Sequence, residues 1–385
     1  MRPYRINIPD SDIEDLRRRL ADTRWPVPLA DDGWERGVPV GYLRELAAYW
    51  RDGFDWRAAE ARLNAYPQFV TEIDGQNIHF LHIRSAEPTA TPLLVSHGWP
   101  GSVAEFLNVI GPLTDPVAHG GSAEDAFHLV IPSLPGYGFS GPAGAGWTGP
   151  RIAETWAELM RLLGYDRYLA HGTDTGAVLS LELARNHPEN VIGLHVTTLL
   201  TFPSGDPDEM ASLTPADLAK LERLSHFNEE LSGYMKLQAT RPQTVAYGLT
   251  DSPVGQLAWI IEKYKEWTCA DKVPEDAISR DDLLTAVSIY WFTGTAGTSA
   301  AIYYEDAAGL RDMLVGARPA PVSVPIGVAM FGDDVFPAVR TLAERELPIA
   351  CWTEYEHGGH FPALERPDLF VADVRAFARQ VQTEI

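Results

Sequence analysis

Cysteine is almost absent from this chain, which carries Cys269 and Cys351 and no others. Neither has a second cysteine or a histidine at metal-ligand spacing, so a disulfide framework and a zinc-finger-type site are both excluded as organising principles. Positive charge is also scarce: 31 basic residues face 53 acidic ones, for a formal net charge of -22. A nucleic-acid backbone or an anionic membrane would be repelled by such a surface. Long hydrophobic runs are missing as well. No stretch approaches the roughly 18 apolar residues of a membrane span, and MRPYRINIPDSDIEDLRRRL at the start lacks the apolar core of a signal peptide. We therefore expect no membrane anchor, no nucleic-acid partner and a cytoplasmic location. No repeat recurs at a fixed period and no Walker lysine occurs; the glycines of GYGFSG at 136–141 do not open a helix, as the dinucleotide fingerprint requires, which leaves a nucleotide or dinucleotide site without a motif.

What is present is a large potential core. The 385 residues are 45% hydrophobic and 10% aromatic, enough for a main domain with attachments. Residues 1–65 hold three helical patterns, IPDSDIEDLRRRL, VPVGYLRELAAYW and DWRAAEARLNAY, and form a predicted N-terminal helical extension. From Phe69 the pattern shifts to strands: QFVTEI and NIHFLHI flank a DGQ turn, and PLLVS at 92–96 runs into HGWPGS. Strands at 127–131, 168–171 and 191–196 then alternate with helices near 102–110, 150–163 and 177–187. Strand–helix alternation is the mark of a mostly parallel sheet covered on both faces, so 66–199 is expected to be the first part of an α/β core.

Residues 200–318 break that rhythm. Segments such as PADLAKLERLSHFNEE and SPVGQLAWIIEKYKEW are helical in pattern and rich in tryptophan and tyrosine, with no buried strand among them. An all-helical insertion between strands of an α/β sheet is expected to cover the site as a lid. The alternation resumes with PIGVAMF at 325–331, a helix near 337–345, a strand near 349–354 and a helix near 367–380, so 319–385 is the second part of the core.

HGTDTG at 171–176 follows a strand and precedes a helix. It has the G-x-nucleophile-x-G form of a sharp elbow, with Asp174 where serine is more familiar. The partners of such an elbow come later in the chain, first an acid and then a histidine, each beyond a late strand. FGDD at 331–334 and EHGGH at 356–360 stand in those places, with Asp333 beside Asp334 and His357 beside His360. Pattern alone leaves both pairs open.

A carboxylate nucleophile restricts the chemistry. Attack on an sp3 carbon leaves an alkyl ester whose carbonyl can still be hydrolysed, whereas serine would leave an inert ether. The substrate must then offer a strained epoxide or a carbon–halogen bond. Hydrolysis of the ester creates an oxyanion, for which the backbone N–H groups of Trp99 and Thr175 are the candidate donors. His97 is expected to hold its loop, and sequence leaves the isomer of the Trp99–Pro100 bond open. An epoxide oxygen also needs a donor as the ring opens, and Tyr234 and Tyr303 in the aromatic insertion are candidates. Ser180 falls within the helix after the elbow and is expected to be a helix residue.

The chain resembles the microsomal-type epoxide hydrolases, a branch of the α/β-hydrolase fold with an N-terminal helical extension. The resemblance spans nearly the whole chain and rests on HGWPGS with EF at 105–106, PSLPGYGFS, HGTDTGA, GYMKLQATRPQTVAYGLTDSPVGQLAWIIEKY, IYWFTGT and EHGGHFPALERPD. It implies Asp174 as nucleophile, His360 as base, Asp334 as its acid, and Tyr234 with Tyr303 as ring-opening donors, Tyr304 being the rival for the last role. It implies epoxide and water as substrates, and roles in detoxification, aromatic-hydrocarbon catabolism or secondary-metabolite biosynthesis; because no set of histidines and carboxylates has a metal-ligand spacing, no metal and no organic cofactor are expected. Two features depart from that family: the acid position is commonly glutamate, and the position of Thr175 usually carries tryptophan. A haloalkane dehalogenase, or a binding protein that has kept the fold without the chemistry, are the alternatives. A homodimer is expected only from the general frequency of two-fold assemblies.

Overall fold

The computed structural model describes residues 1–29, 33–314 and 320–383. Among these residues the sheet has nine strands: β1 (Arg2–Tyr4), β2 (Gln68–Ile73), β3 (Gln76–Ile83), β4 (Thr91–Ser96), β5 (Phe127–Pro132), β6 (Tyr168–Gly172), β7 (Val191–Val196), β8 (Ile326–Phe331) and β9 (Ile349–Tyr355). Their order across the sheet is β1-β2-β3-β5-β4-β6-β7-β8-β9. The β1–β2, β2–β3 and β3–β5 pairs are antiparallel. Every pair from β5 to β9 is parallel. Residues of β6 and β8 are buried throughout, as strands covered by helices on both faces must be, which is why β8 appears in the sequence as an unbroken apolar run and β6 as one interrupted only by His171. This is the α/β-hydrolase fold, with a helical lid and an N-terminal helical extension.

The β2–β3 hairpin turns on Asp74 and Gly75, both with positive φ, a two-residue loop whose twist matches that of the strands it joins. The extension is not purely helical. Arg2–Tyr4 adds an edge strand to β2, in a stretch too short to leave any periodicity in the sequence. Its helices follow at Asp10–Ala21, Val40–Asp52 and Trp56–Leu63, the last capped by the Asp55 side chain accepting from the Ala58 N–H. They bury Leu16, Leu46, Trp50 and Leu63 in the same hydrophobic core as the sheet. The Trp50 indole N–H donates to Ser288 Oγ at 2.9 Å, tying the extension to the helix Arg280–Thr293 of the lid.

Between β7 and β8 the chain is helical, from Pro207–Ser212 to Ala301–Leu314. The expected boundary between lid and second core part, at 318/319, lies outside the described residues. Within this insertion a five-residue π turn, Phe227–Leu231, joins Pro215–His226 to the region of Gly233–Thr240. The latter helix buries Tyr234. Both cysteines are free, and among the described residues no helix is long and apolar enough to cross a membrane.

Candidate active site

The carboxyl ends of parallel strands gather the site, the usual place in an open α/β sheet. Asp174 lies two residues past β6, Asp334 three past β8 and His360 five past β9. Asp174 has φ 51° and ψ -130°, a left-handed conformation that non-glycine residues adopt at a cost of about 1–3 kcal/mol. The surroundings hold it there. Its N–H donates to Thr198 Oγ1 at 3.1 Å, and a Cβ on Gly176 would sit 2.1 Å from the Ser96 carbonyl oxygen, so only glycine lets the turn close against β4. The side chain of Asp174 keeps 12% of its exposure, which leaves the carboxylate reachable at the tip of the elbow.

The two carboxylate oxygens of Asp174 have different partners. Oδ1 accepts the backbone N–H of Trp99 at 2.9 Å and the hydroxyl of Thr175 at 3.0 Å. The Thr175 backbone amide also faces the carboxylate. Oδ2 lies 3.2 Å from His360 Nε2. On the far side of the imidazole, Nδ1 lies 2.9 Å from Asp334 Oδ1, which also accepts the Phe336 N–H at 3.1 Å. Burial alone would raise the Asp174 pKa; its contacts with His360 and then with the Thr175 and Trp99 amides reverse that and hold it below the usual range. Burial likewise disfavours a charged His360, but Asp334 and Asp174 together outweigh it and raise the imidazole well above its ordinary value.

The structure separates the residues that pattern left paired. Asp334 is buried against His360, whereas Asp333 Oδ2 accepts the Gly358 N–H at 3.1 Å and so fastens the histidine loop. His360 is buried and His357 is exposed. The His360 ring stands among Trp267, Phe336 and Phe361 at centroid distances of 5.0, 5.5 and 5.1 Å. The backbone N–H of His360 donates to the Trp267 carbonyl at 2.7 Å. That approach requires Gly359, where a Cβ would come within 2.4 Å of the same carbonyl oxygen.

From the lid, Tyr234 stacks on Trp99 with centroids 5.0 Å apart and an interplanar angle of 12°. The Lys263 ammonium lies 4.9 Å from its ring centroid. Tyr303 meets Trp99 edge-on at 6.2 Å and Tyr234 at 6.1 Å, and the two tyrosine side chains hydrogen-bond each other. Burial, with the charge of Asp174 added, raises both phenols well above their ordinary value, so both stay protonated. Tyr304 is 56% exposed and takes no part in this cluster. His97 is occupied with backbone: its Nδ1 bonds the Gly98 carbonyl at 2.9 Å and its Nε2 accepts the Leu134 N–H at 3.3 Å. The Trp99–Pro100 bond beside it is cis. Ser180 is buried within the helix Thr175–Asn186.

Sequence reasoning assigned no role to Glu105, which is buried with Oε1 unpartnered and lies close enough to His360 and Asp174 to feel both charges. Burial pushes its carboxyl up to about 8. A lone acid inside the apolar run VAEFLNVI was the available signal. Among the described residues no group of histidine, cysteine and acidic side chains forms a metal site.

A carboxylate-bearing elbow facing a buried histidine–aspartate pair, under a helical lid with two protonated phenols, defines a hydrolase of the α/β type. Residues 1–106 match the family model described as "Epoxide hydrolase N terminus", and residues 91–234 match that of the alpha/beta hydrolase fold. The chain is 36% identical over 401 residues to epoxide hydrolase 1 of Sus scrofa, covering 98% of this chain and 88% of that one. The crystal structure of juvenile hormone epoxide hydrolase from the silkworm Bombyx mori superposes with a TM-score of 0.90 at 30% identity, over 100% of this chain and 95% of that one. The Aspergillus niger epoxide hydrolase structure gives a TM-score of 0.87 at 31% identity, over 98% and 96%. The chain belongs to the epoxide hydrolase family, and it is an enzyme.

Proposed function

We propose that this enzyme adds water to an epoxide in two steps through an ester on Asp174, in the manner of the microsomal-type branch, and releases a vicinal diol. The observation that carries this reading is the split environment of Asp174, whose Oδ1 faces hydrogen-bond donors while Oδ2 faces His360. In the first step Oδ2 attacks a ring carbon and the C–O bond of the epoxide breaks. Tyr234 and Tyr303 donate to the oxygen as it gains charge. In the second step His360 takes a proton from water, which adds to Cγ, and the electron pair of the carbonyl moves to Oδ1. Collapse of that intermediate breaks the Cγ–Oδ2 bond, the departing alkoxide takes a proton from His360, and the carboxylic acid left on Asp174 then passes its proton to His360, which restores the carboxylate and the imidazolium of the free enzyme. Asp334 orients the imidazole and stabilises its charged form.

In this reading the core carries the carboxylates and the histidine, and the helical insertion between β7 and β8 carries the tyrosines. The hydroxyl pair over the elbow suits an opening epoxide rather than a departing halide. The accompanying expectations, a cytoplasmic dimer acting in detoxification, catabolism of aromatic hydrocarbons or biosynthesis of secondary metabolites, rest on composition and family resemblance.

Oxygen labelling tests the route. Because the ester is cleaved at Cγ, the oxygen of the attacking water stays on Asp174 in the first turnover. With enzyme in excess over epoxide in heavy-oxygen water, the diol is expected to carry light oxygen at the new hydroxyl and the peptide containing Asp174 to gain the label. Labelled diol from an unlabelled enzyme would mean direct attack of water on the epoxide.

A further inference from the structure

We propose that the Thr175 side-chain hydroxyl is a third donor of the oxyanion site and is itself a catalytic group of the hydrolytic step. The proposal rests on the covalent reading above. Its geometric basis is the convergence of donors on one oxygen: Thr175 Oγ1 lies 3.0 Å and the Trp99 nitrogen 2.9 Å from Asp174 Oδ1, while Oδ2 alone faces His360 at 3.2 Å. Oδ1 is thereby the oxygen left behind as the ester carbonyl, and it is the atom that becomes negative when water adds to Cγ.

The hydroxyl is well held. Thr175 is half-buried at the start of the helix Thr175–Asn186, and β-branching restricts its χ1. Threonine differs from a backbone amide in one useful respect, since its O–H can be removed without moving the chain. The strength of the bond follows the charge on Oδ1. It is strong to the free carboxylate, weaker to the neutral ester carbonyl and strong again to the tetrahedral oxyanion. A donor of this kind steadies Asp174 before attack, giving nothing to alkylation, and accelerates hydrolysis. The two half-reactions should therefore respond to its loss in opposite ways.

Thr175→Val keeps the shape and deletes the hydroxyl, whereas Thr175→Ser keeps the hydroxyl and deletes the methyl. Rapid-quench mass spectrometry would follow formation and decay of the Asp174 ester in the wild type and both variants, with styrene oxide, stilbene oxide and 1,2-epoxyoctane run in parallel. His360→Gln serves as the reference that traps ester. With Thr175→Val we expect ester formation as fast as or faster than wild type and decay slower by about 10–100-fold, below the full effect of deleting a principal oxyanion donor because two amides remain. In the steady state kcat and KM should fall together, leaving kcat/KM nearly unchanged. Thr175→Ser should decay within a few-fold of wild type. Wild-type decay in Thr175→Val, or equal impairment in Thr175→Ser, would overturn the role of the hydroxyl while trapped ester in His360→Gln left the covalent route standing. Absence of ester from His360→Gln with all three epoxides would overturn both.

Discussion

His360 Nε2 stands 3.2 Å from Asp174 Oδ2, inside a pocket where the imidazole is buried among three aromatic rings. This contact makes the protonation of His360 depend on the charge of Asp174. In the free enzyme the two carboxylates keep the imidazole protonated well above its ordinary pKa despite burial. Esterification converts Asp174 to a neutral group, one of the two attractions disappears, and the low-dielectric surroundings then favour the neutral ring. The base for the second step is thus produced by the first, and the proton His360 gives up balances the one gained by the opening alkoxide. Asp174→Asn imitates the loss of charge. Imidazole titration by NMR should show His360 deprotonating at clearly lower pH in this variant than in the wild type; coincident curves would show that Asp174 does not set the charge of the ring.

Asp334 and Asp333 are neighbours with different duties. Asp334→Asn should leave ester formation within about tenfold of wild type and slow ester decay by about 10²–10⁴-fold, by analogy with loss of the orienting acid from other histidine-based sites. Asp333→Asn should affect chiefly the stability of the loop at Gly358. A single-turnover comparison separates the two.

In the proposed mechanism the lid tyrosines share one task, so neither is expected to be indispensable. Tyr234→Phe and Tyr303→Phe should each slow ester formation by about 10–100-fold, at or below the bottom of the range for general acid catalysis because the other phenol remains, and leave ester decay much less affected. Tyr304→Phe should behave as wild type, because Tyr304 is 56% exposed and outside the cluster. Pre-steady-state alkylation rates check all three.

Much of this site was legible in the sequence, and the reasons are local. Parallel strands covered on both faces give apolar runs, so β4 through β8 stood out, and the half-buried edge strand β9 was placed by the strand–helix alternation. The elbow needs small residues around Asp174, and those residues are visible as HGTDTG. The choice of Asp334 over Asp333 was not available from spacing, because adjacent side chains on a turn point to different partners and only the loop at Gly358 shows which is which. The edge strand Arg2–Tyr4 escaped because its pairing with β2, across more than sixty residues of chain, is what makes it a strand. Thr175 was named for its amide, and its hydroxyl became apparent only with the direction of the side chain.

Glu105 gives the fold a pH signature. A buried carboxyl raised from 4.5 to about 8 keeps its proton in the folded protein while the unfolded chain ionises near the ordinary value. The stability it contributes is fully present below about pH 4.5 and is lost progressively as pH rises toward about 8. Glu105→Gln removes this dependence. Thermal melts should show a smaller fall in Tm between pH 5 and 8 for the variant than for the wild type, and parallel profiles would mean that Glu105 is ionised in the folded state.

The most direct test of a covalent intermediate on Asp174 is peptide mapping of the His360→Gln variant after incubation with styrene oxide, stilbene oxide and 1,2-epoxyoctane. The expected result is an adduct of substrate mass on Asp174 that persists for many wild-type turnovers and is absent from Asp174→Asn. A folded His360→Gln variant that forms diol at the wild-type rate without any adduct on Asp174 would contradict it.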